Sequence, residues 1–261
     1  MREVRFRDPA GTIRTGEWLD DSEGERERSD GSDIGDAGGR VRFGDRIYST
    51  GEIDVLPPCE PGKIVCIGRN YADHAAERDS EIPDRPLLFL KGPNAVASHE
   101  STIELPAGKE RIEHEAELGV VIGEQCRNVS EDDAMTVVAG FTCGNDLSNR
   151  DDQRVEQNWV RGKAFDNAAP LGPVLAPPEE VPADAAIRLW VNGELRQDGS
   201  QSDLIFSIPE LIAEITTHLT LEAGDVILTG TPEGVGPLVD GDEIGIAIEG
   251  VGTLRHSVRV P

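Results

Sequence analysis

Two glutamates placed two residues apart have the clearest chemical meaning in this chain. Glu115 and Glu117 stand at the start of the apolar run at residues 118–122. Residues two apart on a β-strand point to the same side, so both carboxylates would lie on one face at the mouth of a core. Two such carboxylates repel unless a cation lies between them, and oxygen ligands favour Mg²⁺, or Mn²⁺, over zinc. An exposed acidic edge is the alternative that this spacing leaves open.

A third carboxylate, Asp146, follows a segment of small and apolar residues at 140–145. An unpaired charge beside such a strand would be costly. Asp146 could therefore complete a three-carboxylate cation site. Four residues further on, Arg150 offers a planar guanidinium suited to a substrate carboxylate, and Gln153 lies one turn beyond it if the segment is helical.

A histidine and a glutamate near residue 75 have the spacing of a catalytic dyad. If residues 71–78 form a helix, His74 and Glu77 lie three residues apart on one face. The carboxylate could then orient the imidazole and raise its basicity, which suits a general base that activates water. A surface His–Glu pair has the same spacing, and that alternative stays open.

The charge balance limits the partners. The 261 residues include 25 Lys and Arg against 50 Asp and Glu, a formal charge of −25. Nucleic acid and anionic membrane surfaces are excluded as partners, because non-specific binding to them depends on basic side chains. An acidic chain whose basic residues are almost all arginine is typical of a halophile-type proteome, where molar salt screens self-repulsion.

Only four lysines remain, and two of them stand in unusual contexts. Lys91 in FLKGP and Lys163 in RGKAFD are flanked by apolar residues and glycine, unlike solvated surface lysines. A role in a site would explain both, and chance retention is the alternative.

The sequence also indicates a compartment. No apolar run approaches the roughly 20 residues that span a bilayer, and the N-terminal residues lack the apolar core of a signal peptide. The four cysteines show no C-x-x-C spacing, which favours free thiols. We therefore expect a cytoplasmic protein.

The elements that must position these residues are mostly strands. Residues 1–60 are predicted to form a small N-terminal β module with an acidic flexible insertion at 20–39, and residues 61–261 the catalytic domain. Helices are predicted at 130–139 and 207–219, and Asn192-Gly193 predicts a hairpin turn. Strands in the catalytic domain are expected at residues 63–67, 87–90, 118–122, 187–191, 225–229 and 243–248. Because helices and strands do not alternate, we predict a β-rich α+β fold and not a doubly wound sheet.

Eight motifs follow one another in collinear order over about residues 61–260. They are GRNYADHAAE, PLLFLKGPNA, HEAELGVVIG, GNDLSNRDDQ, RGKAFDNAAPLGP, LWVNGELRQDG, IFSIPELI and DVILTGTPEGVGPL. Together they resemble the fumarylacetoacetate hydrolase family, and its acylpyruvase and oxaloacetate decarboxylase-like branch is the most similar. The first sixty residues match only loosely, and the acidic insertion has no expected counterpart.

The resemblance implies a mixed β-sandwich roll, a homodimer and a set of site residues. His74 and Glu77 match a dyad on a lid helix that orders when substrate binds, and Lys163 matches a lysine that contacts substrate and metal-bound water. Lys91 matches a lysine with a structural or supporting role. The metal carboxylates, usually for Mg²⁺, would be Glu115, Glu117 and Asp146, and the residues around the 2-oxo-carboxylate would be Arg150, Gln153 and Thr231.

The activity implied is metal-dependent cleavage of a C–C bond in a small 2-oxo acid. Acylpyruvates would be hydrolysed, oxaloacetate decarboxylated, or both, through a metal-bound enolate. The alternatives are isomerisation or decarboxylation of 2-hydroxyhepta-2,4-diene-1,7-dioate, dehydration of 2-keto-3-deoxy sugar acids, and the lactonase or ureidoglycolate lyase activities associated with the family. A metal-stabilised binding protein without turnover is the non-enzymatic alternative, disfavoured because the carboxylate set and the dyad are both complete.

Overall fold

The computed structural model describes residues 1–19, 39–77 and 82–261, so all of the predicted acidic insertion except Gly39 lies outside the described residues. The strands in the first half are β1 (Glu3–Arg7), β2 (Ile13–Leu19), β3 (Arg40–Phe43), β4 (Arg46–Ser49), β5 (Asp54–Val55), β6 (Ile64–Gly68), β7 (Leu87–Lys91), β8 (Val96–Ala97), β9 (Ser101–Glu104), β10 (Ile112–Glu113) and β11 (Ala116–Ile122). Those in the second half are β12 (Val138–Asn145), β13 (Ser148–Asn149), β14 (Ala169–Ala176), β15 (Ala186–Val191), β16 (Glu194–Ser200), β17 (Val226–Leu228), β18 (Glu243–Ile248) and β19 (Gly252–Arg259). The α-helices are α1 (Ala72–Glu77), α2 (Arg150–Gln153), α3 (Val160–Lys163) and α4 (Ile208–His218).

Two mixed sheets carry the fold, which confirms the predicted β-rich α+β sandwich roll. The larger sheet has the order β4-β3-β2-β1-β14-β12-β11-β17-β6-β7, and the smaller has the order β16-β15-β18-β19-β9. Most neighbours are antiparallel, but β17 pairs with β6, β14 with β8, and β19 with β9 in parallel. Strands β12 and β14 contact β18 and β19, and the core lies between these faces.

The β11–β12 pair is the part of the fold that presents the acidic residues. All seven residues of β11 are buried, and Glu117 pairs with Gly144 across the ladder. A Cβ at Gly144 would lie 2.5 Å from Cδ2 of the buried Leu228 side chain, so a larger residue at 144 would require Leu228 to move. Asp146 follows directly after β12, and its backbone N–H donates to the Glu115 carbonyl at 2.9 Å.

The helix predicted at 130–139 is a shorter 3₁₀ helix, Glu131–Val137. Ser130 caps it as expected, but β-branched residues at 136–138 favour extended backbone, and β12 begins at Val138. Gly140 lies inside β12, where a Cβ would stand 2.4 Å from the Ala176 carbonyl oxygen. Gly140 therefore allows β12 and β14 to pack closely, and it does not end a helix.

The other local predictions are confirmed. Helix α4 begins after Ser207, which forms a capping box with Glu210. Asn192 and Gly193 have φ of 50° and 79°, as a tight hairpin turn between β15 and β16 requires. All four cysteines are free.

The N-terminal strands join the larger sheet. Strand β1 pairs with β2 and β5, and it meets β14 at Glu3 and Leu175. Val4 and Phe6 are fully buried in the common core. That residues 1–60 form a module of their own stays a prediction.

Histidine burial makes the stability of this fold sensitive to acid. His99 packs against the Trp18 ring and accepts the Arg255 backbone N–H on Nδ1 at 3.1 Å. Burial lowers the pKa of His99 to about 4. The unfolded chain, with a histidine pKa of about 6.5, binds the proton more readily, so stability is lost as pH falls from about 6.5 towards 4.

We expect His99→Asn to make the free energy of unfolding less dependent on pH between 7 and 4.5. The amide oxygen replaces Nδ1 as acceptor but does not titrate. One pKa unit corresponds to about 1.4 kcal/mol, so the wild type should lose about 2–3 kcal/mol more than the variant. Urea unfolding at the two pH values measures this difference, and equal losses would contradict the assignment.

Candidate active site

Eight of the nine predicted site residues line one cavity of about 400 Å³. The ninth, Glu77, lies beside His74, with 3.4 Å between Oε2 and Nδ1. The lining comprises Ile67, Gly68, Arg69, His74, Leu87, Phe89, Glu115, Glu117, Asp146, Arg150, Gln153, Arg154, Trp159, Lys163 and Thr231.

The three carboxylates converge as a cation site would need. One oxygen each of Glu115, Glu117 and Asp146 lies within 4.8 Å of the others, and all three side chains are buried. Burial raises the pKa of Glu117 well above its usual range, and the neighbouring carboxylates of Asp146 and Glu115 raise it further. The Glu117 carboxylate accepts one stabilising backbone hydrogen bond, from Gly230 N–H at 2.8 Å. This donor set fits Mg²⁺ or Mn²⁺, because every ligand is a hard oxygen and a divalent cation would relieve the repulsion.

Glu115 is in a different electrostatic position. Burial alone would raise its pKa, but the charges of Arg150 and Lys163 outweigh burial and hold that pKa well below the usual range. Glu115 is therefore the fixed negative charge of the set, whereas Glu117 depends on a cation for its ionised form.

Lys163 lies between the carboxylates of Glu115 and Asp146. Its Nζ donates to Glu115 Oε2 and to Asp146 Oδ2, each at 2.7 Å, and lies 4.9 Å from the centre of the Phe89 ring. Burial would lower the pKa of Lys163, but Asp146 and Glu115 raise it above the usual value. The ammonium is thus kept charged inside the cavity.

Lys91 forms a second buried ion pair with Asp146. Its Nζ lies 2.6 Å from Asp146 Oδ1 and donates to the carbonyl oxygens of Leu147 and Ala168 at 3.1 and 2.8 Å. Both lysines singled out in the sequence are therefore almost fully buried against Asp146.

The Arg150 guanidinium is enclosed by protein side chains. Its Nε donates to Glu113 Oε2 at 2.6 Å, its Nη1 to Gln153 Oε1 at 2.6 Å, and its Nη2 forms an ion pair with Glu115 Oε1. From the sequence, Arg150 was predicted to bind the substrate carboxylate. Glu113 was not predicted as a site residue, although it lies two residues before Glu115, as Glu115 lies two before Glu117. In this structure Arg150 holds Glu115 and Gln153 in place.

The dyad reaches the cavity from α1. His74 is buried, and Glu77 Oε1 lies 3.4 Å from the Gly234 backbone N–H, which donates to it. Helix α1 thereby contacts the glycine-rich loop, residues 229–236 (TGTPEGVG), which also carries Thr231.

Two further features of the cavity were not predicted from sequence. Phe89 and Trp159 form an edge-to-face aromatic pair that makes an apolar wall with Ile67 and Leu87. Arg69 and Arg154 also line the cavity, and neither forms an ion pair with any residue in the part of the chain that the structure describes. In a chain with twice as many acids as bases, two such guanidiniums at one opening are notable, but no local motif marks them.

Within the described ranges, no helix is long and apolar enough to cross a lipid bilayer.

Comparison with known proteins gives a consistent result. The chain is 45% identical over 204 residues to oxaloacetate tautomerase FAHD1, mitochondrial, of Bos taurus, covering 76% of this chain and 92% of that one. The structure is similar to 2-hydroxyhepta-2,4-diene-1,7-dioate isomerase from Mycobacterium marinum, with 33% identity, TM-score 0.84 and coverage of 100% and 98%. It is also similar to fumarylpyruvate hydrolase from Pseudomonas aeruginosa in complex with Mn²⁺ and pyruvate, with 32% identity, TM-score 0.72 and coverage of 80% and 92%.

The family comparison covers three quarters of the chain. Residues 63–259 match the family described as Fumarylacetoacetate (FAA) hydrolase C-terminal. That span contains all the strands and helices that form the cavity, together with every residue predicted for the site. The chain is an enzyme of the fumarylacetoacetate hydrolase family.

Proposed function

We propose that this enzyme hydrolyses the C–C bond of acylpyruvates and decarboxylates oxaloacetate, using Mg²⁺ or Mn²⁺. The observation that carries the proposal is the convergence of three buried carboxylates, a buried lysine and a histidine in one cavity. The Mn²⁺ and pyruvate bound to the similar fumarylpyruvate hydrolase support it.

The carboxylates Glu115, Glu117 and Asp146 would hold the divalent cation. Once bound, the cation polarises a 2-oxo carbonyl and stabilises negative charge on its oxygen. Lys163, whose Nζ is held between Glu115 and Asp146, would add a fixed positive charge to the same cavity at no cost of reorganisation during the reaction. Arg150 keeps Glu115 ionised and correctly placed.

His74 and Glu77 supply the proton transfer. For an acylpyruvate, His74 takes a proton from a water molecule, whose oxygen attacks the distal carbonyl carbon C4. The C3–C4 bond breaks, its electron pair remains on C3 as the enolate of pyruvate, and the acyl group leaves as a carboxylic acid. C3 then takes up the proton that His74 holds, which gives pyruvate and regenerates the base. For oxaloacetate the same enolate forms when C4 leaves as CO₂, and no water is consumed.

Keto–enol tautomerisation of oxaloacetate is the second candidate, favoured by the 45% identity to a protein of that name. It needs proton transfer at C3 and no bond cleavage, so the same charges would serve it. Isomerisation of a heptadienedioate, the reaction named for a similar structure, is again a proton transfer at an enol.

The two arginines favour a substrate with a second carboxylate. The cavity lining contains Glu115, Glu117 and Asp146 against four cations, Arg69, Arg150, Arg154 and Lys163. A divalent cation would add to this positive balance. Oxaloacetate and fumarylpyruvate carry a distal carboxylate that could pair with the guanidinium of Arg69 or Arg154, whereas acetylpyruvate does not.

We expect Arg154→Ala to raise KM for oxaloacetate and fumarylpyruvate by about threefold to tenfold and to leave that for acetylpyruvate unchanged. This rise in KM corresponds to the loss of one exposed ion pair between Arg154 and the distal carboxylate, about 1 kcal/mol. Arg188→Ala is the matched control, because Arg188 is exposed on β15 and pairs with Asp198. Equal KM changes for all three substrates would exclude distal-carboxylate recognition by Arg154.

A reducing, cytoplasmic setting and a homodimer complete the proposal. The four free cysteines support the first, and sedimentation at several protein concentrations tests the second.

Turnover with a panel of substrates tests the proposed activity. The panel comprises oxaloacetate, acetylpyruvate, fumarylpyruvate and a heptadienedioate, each with Mg²⁺ and with EDTA at high KCl. Metal-dependent release of pyruvate from the first three is expected. Exchange of enol and keto oxaloacetate without pyruvate release would instead establish the tautomerase.

A further inference from the structure

Gln197 is a buried amide on an edge strand whose other side chains are exposed or half-buried. It lies in the middle of β16 and is 1% exposed. Burying an amide is costly unless its donors and acceptors are bonded. Gln197 belongs to the LWVNGELRQDG motif, but it was not among the predicted site residues.

All four hydrogen-bonding positions of the amide are used. Oε1 accepts from the Ala116 backbone N–H at 3.0 Å and from His114 Nδ1 at 3.2 Å. Nε2 donates to Thr231 Oγ1 at 2.8 Å and to the Pro232 carbonyl oxygen at 2.9 Å. A backbone N–H only donates and a carbonyl only accepts, so Ala116 and Pro232 fix which end of the amide is which.

This orientation determines the direction of the Thr231 hydroxyl. Because Nε2 can only donate, Oγ1 of Thr231 is the acceptor in their hydrogen bond. Its own proton is then available to another acceptor, and none is found among the described residues. Thr231 lines the cavity, so this O–H is suited to donate to an anionic oxygen there.

The same amide connects two parts of the site. Ala116 lies between Glu115 and Glu117, while Thr231 and Pro232 belong to the glycine-rich loop. A single side chain therefore links the carboxylate segment to the loop hydroxyl. Since β16 belongs to the smaller sheet, the link also ties that sheet to the cavity of the larger one.

We propose that Gln197 is a positioning residue that fixes the Thr231 hydroxyl as a hydrogen-bond donor to the carboxylate of the 2-oxo acid. The inference rests on the proposed function, because it takes that carboxylate as the ligand. Gln197 itself does not contact substrate.

A double-mutant cycle with Gln197→Met and Thr231→Val tests the inference. Pyruvate binding in the presence of saturating Mn²⁺ is measured by calorimetry, together with KM and kcat for the best substrate. Each single variant should weaken pyruvate binding by about tenfold, the loss of one charge-assisted hydrogen bond. The double variant should bind no more weakly than Thr231→Val, because Gln197 acts through that hydroxyl.

Mn²⁺ affinity separates positioning from general structural damage. It should stay within about threefold of wild type in all variants, and Gln125→Met, at a surface glutamine bonded to Glu222, should change nothing. Additive losses in the double variant, or a parallel loss of Mn²⁺ affinity, would overturn the inference.

Gln197→Glu and Thr231→Ser provide a second route if Gln197→Met does not fold. The carboxylate of Gln197→Glu would accept the Thr231 proton, so pyruvate binding should fall at least as far as in Thr231→Val. Thr231→Ser, which keeps the hydroxyl, should bind normally. Wild-type affinity in Gln197→Glu would overturn the inference alone, whereas wild-type protein that binds no pyruvate with Mn²⁺ would overturn the proposed function.

Discussion

Glu117→Gln is expected to lose metal binding and catalysis together. The amide keeps the shape of the side chain but removes one of three negative ligands, which we expect to weaken Mn²⁺ binding by about 100-fold, or about 3 kcal/mol. In the metal-free protein the same change removes a buried carboxylate whose pKa is raised by burial and by its acidic neighbours. Thermal unfolding should therefore give a higher Tm for the variant than for the wild type without metal, and a lower one with saturating Mn²⁺.

Glu104→Gln is the matched control, since Glu104 is exposed and pairs with Arg259 on the surface. It should show wild-type activity and the wild-type response of Tm to Mn²⁺. Normal Mn²⁺ affinity in Glu117→Gln, with activity lost, would show that Glu117 is not a ligand.

His74→Ala should keep the metal and lose hydrolysis. Removing a general base typically lowers the rate by about 10²–10⁴-fold, and kcat for an acylpyruvate should fall by that amount. Glu77→Gln should have a smaller effect, about tenfold, because it only orients the imidazole. Decarboxylation of oxaloacetate should fall far less than hydrolysis in both variants, because it consumes no water.

His218→Ala offers a control of the same kind. His218 lies 3.5 Å from Glu214 on α4, a His–Glu pair on an exposed helix face. Its removal should leave both reactions unchanged. Full hydrolysis by His74→Ala would exclude His74 as the base.

Local signals accounted for much of what the sequence could predict. The capping box at Ser207, the turn at Asn192-Gly193 and the buried strand after Glu117 each depend on neighbours in the chain. The scarcity of lysines was a composition signal, and it correctly pointed to two lysines that are buried at the cavity.

What the sequence could not predict depends on residues far apart in the chain. The pairing of Arg150 with Glu113 and Glu115 requires α2 to lie against the start of β11, and no local pattern encodes that contact. The contacts of Gln197 are harder still to predict, because its partners Ala116 and Thr231 belong to two other segments of the chain. The 3₁₀ helix at 131–137 was wrongly predicted as a longer helix because its capping signal outweighed the β-branched residues after it.

The central claim is that the cavity, with a divalent cation, stabilises the enolate of a 2-oxo acid. Cleavage of the C3–C4 bond and proton transfer at C3 both produce this enolate, and pyruvate can form it by losing a methyl proton, so its formation tests the account whichever substrate is physiological. The direct measurement is solvent deuterium incorporation at the methyl group of pyruvate, followed by proton NMR in D₂O with Mg²⁺. The account predicts enzyme-dependent loss of the methyl signal, abolished by EDTA and in Glu117→Gln; a methyl signal that decays only at the buffer rate with metal present would contradict it.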